Sequence, residues 1–399
     1  MPAPEQQQPV ASSAANGWII VLLMSSATAL ALAFGRFGYG VLLPAVRDDM
    51  SISNTLAGAI AGANAAAYLG GTLLIAWLAG HYRLLSILRA GIALVVLGLL
   101  GAAMSTSPQM LMLSLGLAGL GGALVWIPAP VIAADSVAAE KRPLAVGLMS
   151  SGIGLGIAFV STLGGSLRQS AGDAVWSEVY LTLCGVGLIM VALILLVVRH
   201  WQSAPIGGGG LGGFSALQRM PGWLPLIVAY ACFGFMYLLV LGFLTSRLED
   251  DSGWRLADTS LAFSVMGLSM IFGGPLFTSM AQRFGLALVL SLAFALWPVF
   301  TLVVLTGLKL PVLLACLGIG FLFSALPSLI TLYVVENTTT QNYGPSFAAA
   351  TLVFGLAQAV SPPIGGWIAD VGGSFFMVFV LSAIVSVMGL LATLRLPRK

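Results

Sequence analysis

The segment AGLGGALVWIP, residues 118–128, decides the fold because its pattern returns as LGIGFLFSALP in residues 317–327. Both segments are apolar, and both place two glycines and a proline at the same spacing. The matched positions are Gly119, Gly121 and Pro128 in the first segment and Gly318, Gly320 and Pro327 in the second. We therefore expect two halves that share one folding pattern.

Further matches extend this repeat along the chain in the same order. They pair Phe34-Gly35 with Phe233-Gly234, Gly70-Gly71 with Gly273-Gly274, Asp135 with Glu336, and Gly164-Gly165 with Gly365-Gly366. A single glycine pair means little in a chain with 49 glycines, but an ordered series of matches indicates a duplication.

The composition indicates that lipid covers most of the outer surface. Hydrophobic residues make up 59% of the 399 residues and charged residues only 7%, whereas soluble domains carry about 25% charged residues. So few charges cannot cover a surface that faces water. The net charge of +3 forms no basic stripe, so no nucleic-acid partner is expected. The three cysteines lie in apolar runs, and no metal or other cofactor is expected.

Twelve apolar runs have the length, about 20 residues, that a helix needs to cross a bilayer. They cover residues 18–44, 54–79, 84–105, 109–134, 143–167, 177–198, 223–246, 258–281, 286–307, 311–335, 346–369 and 374–394. The predicted fold class is all-α and integral to the membrane, with twelve transmembrane helices in two six-helix bundles. Because each repeat has an even number of helices, both repeats cross the membrane in the same direction. A pseudo-twofold axis along the membrane normal therefore relates the two bundles.

These runs also predict the domain boundaries and the orientation. The predicted segments are a tail at 1–17, an N-terminal bundle at 18–200, a glycine-rich linker at 201–222, a C-terminal bundle at 223–396 and a tail at 397–399. Ten lysines and arginines lie on the side of both tails and five on the other side. This asymmetry predicts cytoplasmic termini in a bacterial inner membrane.

The segment FGRFGYG, residues 34–40, is followed by Leu43-Pro44 and resembles the first helix of the YbfB-like branch of the major facilitator superfamily. The loop after the second span resembles the superfamily's Gly-x-x-x-Asp-Arg-x-Gly motif, although residues 79–83 lack the aspartate. The second copy, residues 282–285, has glutamine in its place. The resemblance implies two bundles that rock to open a central site to each side of the membrane in turn.

Arg36 is the most informative single residue because it lies inside an apolar span. An arginine there costs about 3 kcal/mol on insertion scales, so we expect it to face the bundle interior or water. Its guanidinium is suited to a bidentate contact with the carboxylate of an anionic substrate. Alternatively, Arg36 snorkels outward or bonds helix carbonyls in a purely structural role.

Polar and aromatic residues that share helical faces are predicted to complete the binding site. The predicted substrate-binding residues are Arg36, Tyr39, Asn64, Tyr68, Trp126, Tyr230, Tyr237, Ser324, Ser328 and Gln358. Taken singly, such side chains often only bond neighbouring helices. As a set they favour a polar or aromatic ligand.

A second set of residues is predicted to gate the side of the termini. It consists of Arg83, Asp135, Arg142, Arg283 and Glu336. The resemblance implies that pairs such as Asp135 with Arg83, and Glu336 with Arg283, hold the inner gate shut and part when the bundles rock. Alternatively, these are exposed loop pairs worth less than about 1 kcal/mol each.

The predicted function is secondary active transport of a small organic anion, a carboxylate, by alternating access. The alternative is an efflux carrier for uncharged or mixed toxic compounds, with Arg36 in a structural role. An enzyme is not indicated, because the sequence contains no histidine pair, intramembrane carboxylate pair or phosphate-binding loop. The expected partners are a small-molecule substrate and the lipid bilayer, and the chain is expected to act as a monomer.

Overall fold

The computed structural model describes residues 14–198 and 213–397 of the chain. Among these residues, twelve helices are long and apolar enough to cross a membrane. They are α1 (Asn16–Asp49), α2 (Asn54–Ile75), α3 (Leu84–Ala103), α4 (Pro108–Asp135), α5 (Ala139–Ala171), α6 (Asp173–Val197), α7 (Trp223–Asp251), α8 (Leu256–Phe284), α9 (Leu286–Val304), α10 (Lys309–Asn337), α11 (Asn342–Gly372) and α12 (Phe376–Thr393). The predicted all-α class and the predicted number of spans are confirmed.

Helices α1 and α7 extend about five residues beyond their predicted ends, to Asp49 and Asp251. Polar side chains stabilise both extensions by bonding another helix of the same bundle. Asp49 accepts a hydrogen bond from Trp176 Nε1 at 2.8 Å at the start of α6, and Asp251 accepts one from the Phe375 N–H at 2.8 Å before α12. Asp49 and Asp251, each at the end of the first helix of its bundle, therefore have equivalent roles.

The linker predicted at residues 201–222 includes one short helix, Gly213–Gln218, which packs against α11. Residues 199–212 lie outside the described part of the chain, so the prediction of a flexible linker there stays a prediction.

Two long seams join the bundles, with α2 packed along α11 and α5 packed along α8. Gly58 of α2 lies against the carbonyl oxygen of Pro362, and Gly154 of α5 lies against the carbonyl oxygen of Gly267. A Cβ atom at either glycine would overlap these backbone atoms, so the missing side chain permits the close approach. Between the two seams, α1 meets α7, and the candidate site lies at this central interface.

Candidate substrate-binding site

Arg36 lies on a π-helical segment in the middle of α1, Ala29–Phe37. Such segments bond residue i to residue i+5 and are frequent at functional sites. Asn64 of α2 supports this segment, because its Nδ2 donates to the carbonyl oxygens of Gly35 at 2.9 Å and Leu115 at 2.6 Å. Asn64 is only 4% exposed and joins helices within the N-terminal bundle, and a substrate contact for it stays a prediction. It holds the backbone directly before Arg36.

The Arg36 guanidinium points across the interface to the C-terminal bundle. Its Nη2 donates to Gln358 Oε1 at 2.7 Å and to the Tyr237 hydroxyl oxygen at 3.4 Å. Gln358 Nε2 donates to the same hydroxyl oxygen. The guanidinium carbon lies 4.4 Å from the centroid of the Tyr68 ring, within cation–π range. Four of the predicted residues, from α1, α2, α7 and α11, therefore meet around one positive charge.

The partners of Arg36 are all uncharged. The ion pairs of the described residues involve other arginines and a lysine, and the buried Nε of Arg36 has no hydrogen-bond partner there. A largely buried charge without a counter-ion is costly. Arg36 is half-buried as a residue, so part of it stays accessible. The site therefore favours a negatively charged group next to Arg36.

An aromatic cluster surrounds the Tyr237 side of this site. It consists of Tyr230, Phe233, Tyr237, Phe323 and Phe354. Tyr230 and Phe354 stack with ring centroids 4.3 Å apart, and Phe233 stacks on Tyr237 at 5.0 Å. Phe323 meets Tyr237 edge-on at 5.2 Å. The predicted residue Tyr230 thus belongs to the site through its ring.

Four other predicted residues make contacts elsewhere. The Tyr39 hydroxyl donates to a carbonyl oxygen of α2 at 3.1 Å. The Ser324 hydroxyl accepts from the Gly274 N–H at 3.0 Å, and the Ser328 hydroxyl donates to the Ser324 carbonyl at 2.8 Å. Trp126 is half-buried against the hydrophobic core. Tyr39 and Ser324 therefore bond neighbouring helices, the alternative given above for single side chains. A substrate contact for any of these four residues stays a prediction.

An aromatic stripe on α11 was not predicted from the sequence. It is formed by Tyr343, Phe347 and Phe354. These residues and Gln358 follow one another at spacings of four, seven and four, which places them on one helical face. The Tyr343 and Phe347 rings stack at 5.8 Å, and Phe347 lies 6.4 Å from the Tyr230 ring. This spacing is the sequence signal that identifies the stripe.

The face of the protein opposite the termini, called the distal face here, is closed by charged contacts between the bundles. This distal clamp consists of Arg47, Arg168, Glu249, Asp250 and Asp370. Arg168 of α5 donates two hydrogen bonds to Glu249 of α7, at 2.8 and 3.1 Å. Arg47 of α1 forms an ion pair with Asp250 of α7.

Asp370 completes the distal clamp at the end of α11. Its carboxylate accepts hydrogen bonds from the N–H groups of Asn54 at 2.9 Å and Thr55 at 2.7 Å. These N–H groups begin α2, where the unpaired donors and the helix dipole favour a negative charge. The aspartate thereby ties the C-terminal bundle to the first turn of a helix in the N-terminal bundle.

The predicted gate at the terminal face has a different arrangement. Asp135 pairs with Arg142 at 3.5 Å and not with its predicted partner Arg83. Asp135 and Arg142 are about half exposed and both belong to the N-terminal bundle, so this pair does not join the bundles. The pair of Glu336 with Arg283 stays a prediction.

The chain matches, over residues 28–394, the family described as uncharacterised MFS-type transporter YbfB. The chain belongs to this family. The predicted membership of the major facilitator superfamily is therefore confirmed. Its site can accordingly be compared with an alternating-access cycle, in which two bundles expose a central site to each side in turn.

Several relatives share part of its sequence. Over 186 residues it is 30% identical to the uncharacterised transporter YgaY of Escherichia coli K12, a match that spans 47% of this chain but only 44% of YgaY. An uncharacterised 38 kDa protein from the 23S RNA operon of Thermoproteus tenax is 27% identical over 75% of each chain. Human protein spinster homolog 1 is 27% identical over 41% of this chain and 31% of that protein.

Solved structures of a bacterial homologue of the human lysosomal transporter spinster share the fold. The inward-facing, unoccupied structure superposes with a TM-score of 0.75 at 14% identity, covering 96% of this chain and 98% of the other. The inward-facing, occupied structure gives a TM-score of 0.69 at the same identity, covering 96% and 95%. The predicted major facilitator fold is thus confirmed.

Proposed function

We propose that this transporter moves a small organic anion, a carboxylate, across the bacterial inner membrane by secondary active transport. The observation that carries the proposal is the Arg36 guanidinium, which lies between the bundles and has only neutral partners among the described residues. A carboxylate here would form charge-assisted, bidentate hydrogen bonds and would supply the missing negative charge. We further propose that the protein acts as a monomer with cytoplasmic termini, so that the terminal face is the inner face.

The bonds of Arg36 suggest how the substrate acts on the bundles. Arg36 belongs to the N-terminal bundle, whereas Gln358 and Tyr237 belong to the C-terminal bundle. With the distal clamp closed, the substrate reaches the site from the terminal face. An anion that competes with Gln358 for the guanidinium removes a bond between the bundles and so shifts their conformational equilibrium. Anion exchange, or uptake of the acid with its own proton, would drive this cycle without an intramembrane carboxylate.

A second candidate function is efflux of uncharged aromatic compounds, and the aromatic cluster favours it. In that case Arg36 would serve only to join the bundles through Gln358 and Tyr237. The two candidates differ in one measurable property, because only the first requires a ligand whose affinity depends on its negative charge.

A thermal-shift screen of the purified protein tests the proposal against carboxylates, amino acids and hydrophobic cations. The variants are Arg36→Gln and the matched control Arg89→Gln, since Arg89 is a half-buried arginine that donates to the Val198 carbonyl at 3.2 Å within the N-terminal bundle. A ligand at 100 times its Kd stabilises the folded state by about 2.7 kcal/mol. We expect carboxylates to raise the melting temperature of the wild type and R89Q but not of R36Q. Shifts by hydrophobic cations alone, or carboxylate shifts that persist in R36Q, would refute the proposal.

A further inference from the structure

The aromatic stripe of α11 continues into the aromatic cluster through Phe347, whose ring is tilted by 30° against that of Tyr230, and the ring pairs on either side of this contact are nearly parallel. The interplanar angle is 15° between Tyr343 and Phe347, 18° between Tyr230 and Phe354, and 17° between Phe354 and Tyr237. Tyr343, Phe347 and Phe354 are each half-buried, so their rings are partly accessible. Flat, partly accessible surfaces therefore follow one another along α11 and end where Gln358 contacts Arg36.

The polar end of this series offers two donors to one ligand group. The Tyr237 hydroxyl oxygen accepts hydrogen bonds from Arg36 and from Gln358, so its own O–H group is available to donate to a ligand acceptor. The Arg36 guanidinium supplies the second donor and the positive charge. A carboxylate has two oxygens and one negative charge, which match this pair of donors. A second carboxylate on the same ligand would lie among aromatic rings without a cation, which is unfavourable.

We infer that the substrate is a planar aromatic monocarboxylate, an inference that rests on the anion transport proposed above. Its carboxylate binds Arg36 and the Tyr237 hydroxyl, and its ring stacks in the aromatic cluster next to Phe354. Aromatic rings gain affinity from offset stacking beyond the area that they bury, by about 2- to 13-fold for each ring pair. A saturated ring of the same size buries a similar area but gains no stacking.

Benzoate and cyclohexanecarboxylate form a matched pair that tests this inference. Radiolabelled benzoate is bound to the purified full-length protein and displaced by cyclohexanecarboxylate, by terephthalate and by the neutral analogue benzamide. We expect benzoate to bind about 2- to 13-fold more tightly than cyclohexanecarboxylate, although the saturated ring is the more hydrophobic one. Terephthalate and benzamide should each bind more weakly than benzoate.

The variant Phe354→Leu separates stacking from simple burial. It should lower the affinity for benzoate by about 2- to 13-fold and leave that for cyclohexanecarboxylate unchanged. The control Phe272→Leu changes a lipid-side phenylalanine that is 61% exposed and should leave both affinities unchanged. If cyclohexanecarboxylate binds as tightly as benzoate or more tightly, and if R36Q loses this binding, the aromatic preference is overturned but the anion site at Arg36 is retained. Benzamide binding as tightly as benzoate would instead overturn the proposed anion transport itself.

Discussion

Replacing Glu249 by glutamine should weaken the distal clamp and populate conformations that are open at the distal face. Glu249 accepts two hydrogen bonds from Arg168, and the two side chains are 11% and 4% exposed. Arg168 also donates its Nε to Asp173 at 2.7 Å. Asp173 belongs to the same bundle as Arg168 and stays with it when the bundles separate. The substitution therefore removes the charge pair between the bundles without leaving Arg168 unpaired.

The expected magnitude follows from the burial of this pair. Breaking a buried ion pair completely costs about 3–5 kcal/mol. The amide of the E249Q variant would keep one accepting oxygen and Asp173 would keep its charge, so the loss should be nearer to that of one charged hydrogen bond, about 1.5–3 kcal/mol. The ratio of distally open to distally closed molecules should then rise about 10- to 150-fold.

Electron–electron distance measurements between spin labels at Thr106 and Leu310 report this ratio. Both residues are exposed and lie at the distal ends of opposite bundles, between α3 and α4 and at the start of α10. The three native cysteines are buried and are replaced by alanine. The control Asp173→Asn changes the same arginine's contacts within one bundle and should leave the distances unchanged. If E249Q gives the wild-type distances, or if D173N opens the protein equally, the clamp does not hold the distal face closed.

Three further substitutions test other parts of the structure. Gly58→Ala should also open the distal face, because its Cβ would overlap the Pro362 carbonyl oxygen. The control Gly70→Ala meets no atom within 4 Å and should leave the distal face closed. The same spin-label distances measure both variants. Asp370→Asn should open the distal face less than E249Q does, since Asp370 is exposed and the amide still accepts from the first turn of α2. Asn64→Leu should lower the unfolding free energy by about 1–3 kcal/mol and weaken benzoate binding, because the segment before Arg36 loses its support. A lower melting temperature with unchanged benzoate affinity would contradict the positioning role of Asn64.

Hydropathy was enough to predict the twelve spans, because crossing a bilayer requires only length and apolar composition. Hydropathy also placed the ends of α1 and α7 about five residues too early. Asp49 and Asp251 are charged and lower the local hydropathy, yet both remain helical because they bond the start of the last helix in their own bundles. Such contacts between helices that are distant in the sequence cannot be derived from the local pattern.

The site was predictable from polar residues that are rare inside apolar spans. Arg36 is an intramembrane charge, and Tyr237 and Gln358 are polar interruptions of apolar spans, so all three could be nominated from the sequence. The bond from the Tyr39 hydroxyl to a carbonyl oxygen of α2 could not be predicted, because it depends on how α1 and α2 pack. The bonds of Asn64 to neighbouring backbone could not be predicted either, because an amide facing a backbone and an amide facing a cavity give the same sequence signal.

Three helices carry both the candidate site and the distal clamp, and this placement connects substrate binding with opening. The pairs are Arg36 and Arg47 in α1, Tyr237 and Asp250 in α7, and Gln358 and Asp370 in α11. Each pair is separated by about 16–20 Å along its helix, at 1.5 Å per residue. An anion that draws Arg36 away from Gln358 therefore loosens the same helices whose distal ends hold the bundles together. A helix moves largely as one body, so in the proposed cycle the loss of the central bond and the release of the clamp favour the same rocking motion. The candidate site and the distal clamp therefore act on one equilibrium, between distally closed and distally open bundles.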